Sequence, residues 1–236
     1  MSVRQIQPGL HQIRLSGVNA FLLESGSDGL VLIDTGVPGS GGQIVAAVRS
    51  LGREISDLRH ILVTHCHPDH AGGLAELQKV TGARVYMHKR DAMLVATGRA
   101  MRRLIPTPGI LNGILYRVMI APKPHTVPPA KADALVGNGD VLPVAGGISV
   151  IHTPGHTEGH LVFLAKKHRA VFLGDAAANI LGLRLMMAYE HIQQGVMSLQ
   201  HLCKFEFEIA CFGHGPTIAQ GAGRQFRERW RKGVGR

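Results

Sequence analysis

The chain has 236 residues, of which 45% are hydrophobic and 5% aromatic, so it can bury a sizeable, mainly aliphatic core as one domain. Its formal net charge of +10, from 26 Lys and Arg against 16 Asp and Glu, would attract anions, but the basic residues are scattered, which disfavours a nucleic-acid-binding protein. The three cysteines are unevenly spaced and the N-terminus has no signal-peptide features, which disfavours a secreted protein. No apolar run is long enough to span a membrane, so the sequence predicts a cytoplasmic protein.

The first quarter of the chain is rich in strand patterns. Strands are predicted at 10–15, 20–24 and 29–34, followed by an amphipathic helix from Gln43 to Leu51. Asp34 ends the third strand and precedes a glycine-rich loop, which places its carboxylate at an edge of the sheet. Judged from its neighbours alone, this carboxylate would cap the loop.

A further predicted strand, 59–64, ends directly before the densest group of potential metal ligands. The segment Thr64-His65-Cys66-His67-Pro68-Asp69-His70 holds four of them. His65 and His67 lie two apart in an extended segment, so their side chains can point to the same side and bind one ion. Asp69 and His70 follow the bend at the proline and can face a second ion. Two ions are therefore favoured over one.

Downstream of this motif the chain returns to regular structure, with a helix predicted from Leu74, a strand at 83–88 and a short helix at 89–97. The free amides and the positive dipole end of the first helix would favour an anionic group there. Gly72 and Gly73 would let the backbone approach the ions closely.

The stretch from about 99 to 130 differs from its surroundings because it holds six of the 12 prolines around the apolar run 110–120. Ile110, Ile114 and Val118 share one helical stripe, which predicts an amphipathic helix in a proline-rich insertion. Four interpretations stay open: packing on the core, a substrate-covering flap whose apolar wall suits an acyl chain, a homodimer contact, or a contact with a membrane surface.

The second half of the chain alternates strand patterns with single ligand candidates. His156, Asp175 and His214 each follow a predicted strand within a few residues. The predicted elements are strands within 134–142, with a polar turn at 137–140, further strands at 147–152, 161–165, 170–173 and 209–212, and helices at 192–203 and around the basic patch 224–232. In the last helix Phe226 and Trp230 can dock one face and leave the arginines in solvent.

The motif His65-Cys66-His67-Pro68-Asp69-His70, followed by Ala71-Gly72-Gly73, resembles the HxHxDH motif of the metallo-β-lactamase superfamily. Supporting segments occur in the expected order along nearly the whole chain, namely Leu32–Gly36, Thr153–Thr157, Leu173–Asp175 and Gly213–Gly215. The resemblance implies an α/β (α+β) fold, a four-layer αββα sandwich of two mixed sheets with the site at one edge. Residues 1–236 would form a single such domain, with the insertion at about 99–130.

The same resemblance implies a ligand set and a reaction. One ion would be held by His65, His67 and His156, a second by Asp69, His70 and His214, with Asp175 bridging them and Asp34 orienting a ligand imidazole. The donor types suit two divalent ions, zinc above all, with manganese or iron as alternatives. A hydroxide bridging the two ions would attack the carbonyl of an ester, lactone or thioester, and Asp69 would pass a proton to the leaving group.

Within the superfamily, the ligand set and the short segment after His214 favour a lactonase-like hydrolase acting on a small molecule. The short segment counts against a glutathione-binding extension of the glyoxalase II type, and Asp175 differs from the cysteine ligand of secreted class B1 lactamases. The tyrosine that follows the bridging aspartate in acyl-homoserine lactonases is missing, so Tyr116 or Tyr189 would have to replace it. The alternatives are a persulfide dioxygenase-like oxidoreductase with one iron and, less favoured, an RNA-processing nuclease.

Overall fold

The computed structural model describes residues 2–122 and 125–231. Pro124 of the predicted insertion and Lys232 of the predicted basic patch lie outside the described residues. Two β-sheets and the helices that cover them account for most of the described chain. No helix in the described ranges is both long enough and apolar enough to cross a membrane.

The first sheet is built mainly from the N-terminal part of the chain. Its strands, in spatial order, are β1 (Ser2–Gln7), β2 (Leu10–Arg14), β3 (Asn19–Glu24), β4 (Leu30–Ile33), β5 (Leu58–Leu62), β6 (Arg84–Met87) and β8 (Ala134–Leu135). Neighbours from β1 to β4 are antiparallel, and those from β4 to β8 are parallel. The run Leu30–Ile33 is buried at every position, as expected for a central strand covered on both faces.

The second sheet comes from the C-terminal half. Its strands, in spatial order, are β9 (Val141–Leu142), β10 (Ile148–His152), β11 (Leu161–Ala165), β12 (Ala170–Phe172) and β16 (Ile209–Cys211), and only β12 and β16 pair in parallel. Two short antiparallel ladders lie beside the sheets: β7 (Ile105–Pro106) with β15 (Ala188–Tyr189), and β13 (Ala178–Asn179) with β14 (Leu183–Arg184).

Helices cover the outer face of each sheet. The helices that do so are α1 (Gly41–Ser50), α3 (Leu74–Thr81), α4 (Lys89–Ala96), α6 (Ile192–Leu202) and α7 (Ala222–Trp230). The short helix α2 (Pro68–Ala71) begins within the ligand motif, and α5 (Ile110–Leu115) lies in the insertion. One apolar cluster joins α1, α3 and α4 to the first sheet, a second fills the space between the sheets, and a third joins α6 and α7 to the second sheet. The predicted four-layer αββα sandwich is therefore confirmed.

The C-terminal helix behaves as its pattern predicts. Phe226 and Trp230 are fully buried one turn apart, whereas Arg224 and Arg229 are exposed. Burying two aromatic side chains of this size is worth several kcal/mol, so this face fixes α7 on the sheet. The basic patch is thus largely the solvated side of a packed helix.

Two other features differ from expectation. The stretch 134–142 forms two short strands that belong to different sheets, on either side of the predicted turn, in which the Gly137 amide donates to Asp140 Oδ2 at 2.8 Å. The first strand, β1, was not predicted, since its sequence SVRQIQ is mostly polar and its side chains are largely exposed at the sheet edge.

The helix of the insertion is present, but it does not bury its apolar stripe. α5 continues into a π-helical turn at Tyr116–Ile120. Ile110, Ile114 and Val118 are 88%, 55% and 69% exposed, so the stripe does not pack on the core of this chain. The core-packing interpretation is wrong, and the substrate-flap, homodimer and membrane-surface interpretations stay predictions.

Candidate metal centre

The ligand candidates meet at one edge of the sandwich because of the strand directions. β10 and β12 are both antiparallel to β11, so they run the same way, and β16 runs parallel to β12. The carboxyl ends of these strands therefore share an edge, where loops of parallel strands commonly carry functional groups. His156, Asp175 and His214 follow β10, β12 and β16 there, and they meet the 65–70 segment that follows β5.

Three histidines form the first buried cluster. The Nε2 atom of His65 lies 3.1 Å from Nδ1 of His67, and Nε2 of His156 lies 3.0 Å from the same atom. The Nδ1 atom of His156 donates to the Ala188 carbonyl at 3.0 Å, which leaves the lone pair of that ring on Nε2. Ring nitrogens that face each other at this distance need a cation or a proton between them, because two lone pairs repel.

Asp69, His70 and His214 form the second cluster. His214 Nε2 lies 3.3 Å from Asp69 Oδ2, and its Nδ1 donates to the Gly17 carbonyl at 2.8 Å. The Nδ1 atom of His70 lies 2.8 Å from Asp34 Oδ2, so Asp34 holds the ring and leaves Nε2 facing the cluster. Hydrogen bonds of this kind to the far side of an imidazole fix its orientation and leave the other nitrogen for a metal.

Asp175 lies between the two clusters. Its Oδ2 is 3.4 Å from Nε2 of both His156 and His214, and its Oδ1 is 3.3 Å from Nε2 of His70. Neither Asp175 Oδ1 nor His70 Nε2 has a hydrogen-bond partner among the described residues, although both are buried. Because a buried polar atom without a partner is costly, these atoms fit a site that binds a positive ion.

The two clusters differ in their electrostatics. Burial lowers the pKa of His65, His67 and His156, that of His67 to about 3, so these rings are neutral donors. Burial also opposes the charge of His70 and His214, but the nearby carboxylates together outweigh it. Asp175 and Asp34 raise the pKa of His70 well above its ordinary value, and Asp175 and Asp69 raise that of His214 to about 10. The second cluster thus has the stronger negative potential.

The donor set can be tested against the requirements of metal ions. Three groups of side chains each bring their ligand atoms within 4.8 Å of one another: His65, His67 and His156; His65, His70 and Asp175; and Asp69, His70 and His214. Imidazoles with a few carboxylates are typical ligands of zinc and similar divalent ions. The residues present therefore fit two such ions with Asp175 between them.

Asp34 adopts an unusual backbone conformation to reach His70. Its φ of 60° lies in the left-handed region, which costs a non-glycine residue about 1 kcal/mol or more. Its carboxylate accepts hydrogen bonds from the Thr64 amide at 2.7 Å and the Thr64 hydroxyl at 2.8 Å. These contacts join β4 to the start of the 65–70 segment, so the predicted sheet-edge carboxylate lies behind a ligand candidate instead of capping its own loop.

The glycines after the motif pack closely against neighbouring backbone. A Cβ at Gly72 would lie 2.4 Å from the Pro38 nitrogen, and one at Gly73 would lie 2.4 Å from the Thr35 carbonyl. Both glycines thus let the segment after the motif pack against the loop after β4, and a close approach of their backbone to the ions stays a prediction. The Gly73 amide donates to the Gly36 carbonyl, so it does not offer a free amide to an anion.

His160 is a residue of this site that sequence reasoning missed. It is fully buried, its Nδ1 lies 2.8 Å from the Thr153 hydroxyl, and its Nε2 accepts the Asp175 amide at 3.1 Å. It therefore holds the backbone of Asp175 without facing the clusters as a ligand. Only its spacing of four residues from His156 could have drawn attention to it.

The two candidate replacements for the lactonase tyrosine are occupied by other contacts. The Tyr189 hydroxyl donates to the Ala176 carbonyl at 2.8 Å, and its ring packs edge-on against His156 with centroids 5.5 Å apart. The Tyr116 hydroxyl donates to the Leu104 carbonyl at 3.2 Å. In this structure both phenols support the fold.

Gly213 leads to a prediction about the second cluster. A Cβ at this position would lie 2.5 Å from both Asp175 Oδ1 and His70 Cε1. We expect Gly213→Ala to lower the free energy of unfolding by about 1–3 kcal/mol, as overpacking does, and to weaken metal binding. Gly137→Ala is the control, because a Cβ there meets nothing within 4 Å. Denaturant unfolding and metal titration would check this; equal behaviour of the two variants would contradict it.

Comparison with known proteins agrees with this geometry. A family model described as metallo-beta-lactamase superfamily matches residues 13–214. An uncharacterized protein of Bacillus subtilis is 35% identical over 160 residues, covering 67% of this chain and 61% of that protein. An atrochrysone carboxyl ACP thioesterase of Cryptosporiopsis sp. is 28% identical over 211 residues, covering 89% and 52%. The chain thus spans about half to three fifths of the length of these relatives.

Solved structures show the same architecture. A metallo-beta-lactamase family protein of Thermus thermophilus matches with a TM-score of 0.68 and 26% identity over 97% of this chain and 80% of that one. A subclass B3 metallo-beta-lactamase of Bradyrhizobium japonicum matches with a TM-score of 0.71 and 21% identity over 98% and 91%. At that identity the second match supports the fold alone.

Proposed function

The chain belongs to the metallo-beta-lactamase superfamily, and from this premise we propose that it is a dinuclear metal-dependent hydrolase of an acyl thioester or ester. The observation that carries the proposal is the position of Asp175, whose two oxygens face both buried clusters at 3.3–3.4 Å. A carboxylate in that position can bind two ions at once. Zinc is the ion that the histidine-rich donor set favours.

The proposed ligand assignment follows the two clusters. His65, His67 and His156 would hold one ion, Asp69, His70 and His214 the other, and Asp175 would bind both. When bound, two such ions lower the pKa of water and polarise a carbonyl oxygen. The residues around them contribute orientation, because Asp34, Ala188 and Gly17 each accept a hydrogen bond from a ligand ring.

Asp69 is the group proposed to move a proton. Burial opposes its ionisation, but the hydrogen bond from His214 and the positive charges of His70 and His214 together outweigh burial and hold the pKa of Asp69 well below its ordinary value. Its side chain is 23% exposed, so it can be reached from solvent, whereas that of Asp175 is almost fully buried. As a carboxylate beside the reacting carbonyl, Asp69 can take up a proton and pass it to the departing thiolate or alkoxide.

The insertion provides a candidate binding surface for the acyl part of the substrate. An open groove of about 460 Å³ is lined by Pro106, Ile110, Gly113, Ile114, Tyr116 and Arg117. One of its lining residues, Pro106, pairs in register with Ala188, and the Ala188 carbonyl accepts a hydrogen bond from His156 Nδ1. A groove of this size and apolar lining suits an acyl chain.

Among carbonyl substrates, a thioester is favoured over a lactone. One relative is named as an ACP thioesterase, and neither Tyr116 nor Tyr189 has a free hydroxyl of the kind expected for a lactonase. The formal charge of +10 would also attract the phosphates of common thioester carriers. A lactone stays a candidate of the same reaction class.

The proposal is tested by metal analysis followed by a substrate panel. We expect about two divalent ions per chain and faster hydrolysis of acyl thioesters than of acyl lactones or β-lactams. A single iron with oxygen uptake on a glutathione persulfide would replace the proposal with a dioxygenase, and metal-dependent RNA cleavage would replace it with a nuclease. Inactivity of the metal-loaded chain on every carbonyl substrate would also overturn it.

The groove makes a separate prediction about chain length. We expect the double substitution Ile110→Ser with Ile114→Ser to lower kcat/KM for long-chain acyl thioesters about 10- to 100-fold, because each substitution removes apolar contact with the acyl chain. The kcat/KM for acetyl thioesters should stay unchanged. Leu181→Ser is the matched control, since Leu181 is 99% exposed and does not line the groove. An unaltered chain-length profile would show that the acyl chain binds elsewhere.

A further inference from the structure

A buried carboxylate outside the proposed ligand set joins the loops of the three-histidine cluster. Asp91, in the first turn of α4, is fully buried, and each of its oxygens accepts two hydrogen bonds. Oδ2 accepts from the Cys66 amide at 3.1 Å and from the Thr157 hydroxyl at 2.6 Å. Oδ1 accepts from the Gly159 amide at 3.1 Å and from Arg102 Nη1 at 3.1 Å. This group thus meets four donors from three separate segments.

Those donors flank the proposed ligands of one ion. Cys66 lies between His65 and His67, and Thr157 directly follows His156. Asp91 therefore holds the segment after β5 against the segment after β10, although these two segments are about ninety residues apart in the chain. The packing leaves little freedom, because a Cβ at Gly159 would lie 2.6 Å from the Asp91 carboxylate.

Arg102 and Glu190 complete the arrangement. Arg102 Nη1 lies 3.2 Å from Glu190 Oε1, and Arg102 Nη2 donates to the Arg90 carbonyl at 2.7 Å. Glu190 Oε2 accepts the Glu158 amide at 2.7 Å, and the Glu190 amide donates to the carbonyl of His156. The positive guanidinium of Arg102 thus offsets the negative charge of the buried Asp91 carboxylate, and it lies close to the backbone of His156.

We propose that Asp91 is a positioning residue for the three-histidine metal site, which sets the distance between the His65–His67 loop and His156 without binding the ion. The inference rests on the proposed metal centre. Its physical basis is that a metal site gains affinity when its ligands are held in place before the ion arrives, and the Asp91 hydrogen bonds provide that restraint.

The effect should be confined to one of the two sites. The hydrogen bonds of Asp91 go to segments that carry His65, His67 and His156, whereas His70 is held by Asp34. Loss of Asp91 should therefore weaken the three-histidine site and leave the site of Asp69, His70 and His214 nearly unchanged. A general loss of stability would weaken both.

The test measures Zn²⁺ binding by calorimetry in two backgrounds, His214→Ala, which keeps the three-histidine site, and His156→Ala, which keeps the other. We expect Asp91→Asn to raise the Kd about 10- to 100-fold in the first background and less than threefold in the second. Asp34→Asn is the comparison variant, and weakening in both backgrounds is expected for it, because Asp34 contacts His70 and also Thr64 next to His65. Equal weakening by Asp91→Asn in both backgrounds, or none in either, overturns the inference.

Two further measurements separate this inference from its premise. Wild-type protein that binds no Zn²⁺ would overturn the proposed function itself, whereas wild-type binding of two ions with an unaffected Asp91→Asn variant would overturn only the role of Asp91. If Asp91→Asn does not fold, as judged by circular dichroism, Thr157→Val replaces it. That variant removes one hydrogen bond and no charge, and the same selectivity for the three-histidine site is expected.

Discussion

Replacing Asp175 with alanine should lower kcat/KM by about a thousandfold or more while the fold is kept. The side chain faces both clusters, so its loss removes a proposed ligand of two ions and several kcal/mol of stabilisation that they would supply to the reaction. The fold should persist, because the Asp175 amide still donates to His160 Nε2 and the neighbouring strand β12 is buried in the sheet. Steady-state kinetics on an acyl thioester would measure the effect.

The control for this variant is Asp28→Ala, which removes an exposed carboxylate from a surface turn. We expect that variant to keep wild-type kinetics and a wild-type Tm. Circular dichroism and thermal unfolding of Asp175→Ala establish that the loss of activity is not a loss of structure. Unchanged turnover by a folded Asp175→Ala protein would refute the dinuclear mechanism.

Removal of metal should abolish hydrolysis and lower the Tm by about 5–10 °C. The clusters bring together imidazole nitrogens and carboxylate oxygens, and some of these buried atoms have no partner among the described residues, so bound ions should stabilise the folded state. At an ion concentration a hundred times Kd, metal binding raises the free energy of unfolding by about 2.7 kcal/mol. For a chain of this size, each kcal/mol shifts the Tm by about 2–4 °C. Dialysis against a chelator, followed by assay and thermal unfolding, measures both effects.

The matched control for this experiment is the same chelator saturated with zinc before use, which should leave activity and Tm unchanged. Addition of about two equivalents of Zn²⁺ to the metal-free protein should restore both. Full activity after complete removal of metal, verified by elemental analysis, would be incompatible with the proposed chemistry.

Local patterns predicted most of the regular structure because each depends on residues close in sequence. The segments Leu10–Arg14 and Leu30–Ile33 appear as strands, and the apolar stripe in Ile192–Leu202 appears as a helix. The strands within 134–142 were harder to predict, because a strand of two residues is too short to show a period in its sequence. Its membership of two different sheets depends on partners far along the chain.

In the proposed site, too, some features can be predicted from residues close in sequence and others depend on partners far along the chain. The spacing of His65, His67, Asp69 and His70 is visible in one stretch of sequence and indicates metal ligands without any structure. The proximity of Asp175 to both clusters is not visible there, because it results from the parallel directions of β10, β12 and β16. The contacts of Asp91 are equally hidden, since a single aspartate at the start of a helix looks like an ordinary capping residue.

The sequence by itself determined the superfamily, the types of donor atoms and the helical stripe at Ile110, Ile114 and Val118, since each is a property of residue identity and short spacing. Only the tertiary structure decided that this stripe faces solvent, that Asp175 lies between two clusters, and that Asp91 joins two loops. The physical reason is that side chains distant in sequence acquire distances and burial only when the sheets pack, and packing depends on the whole chain.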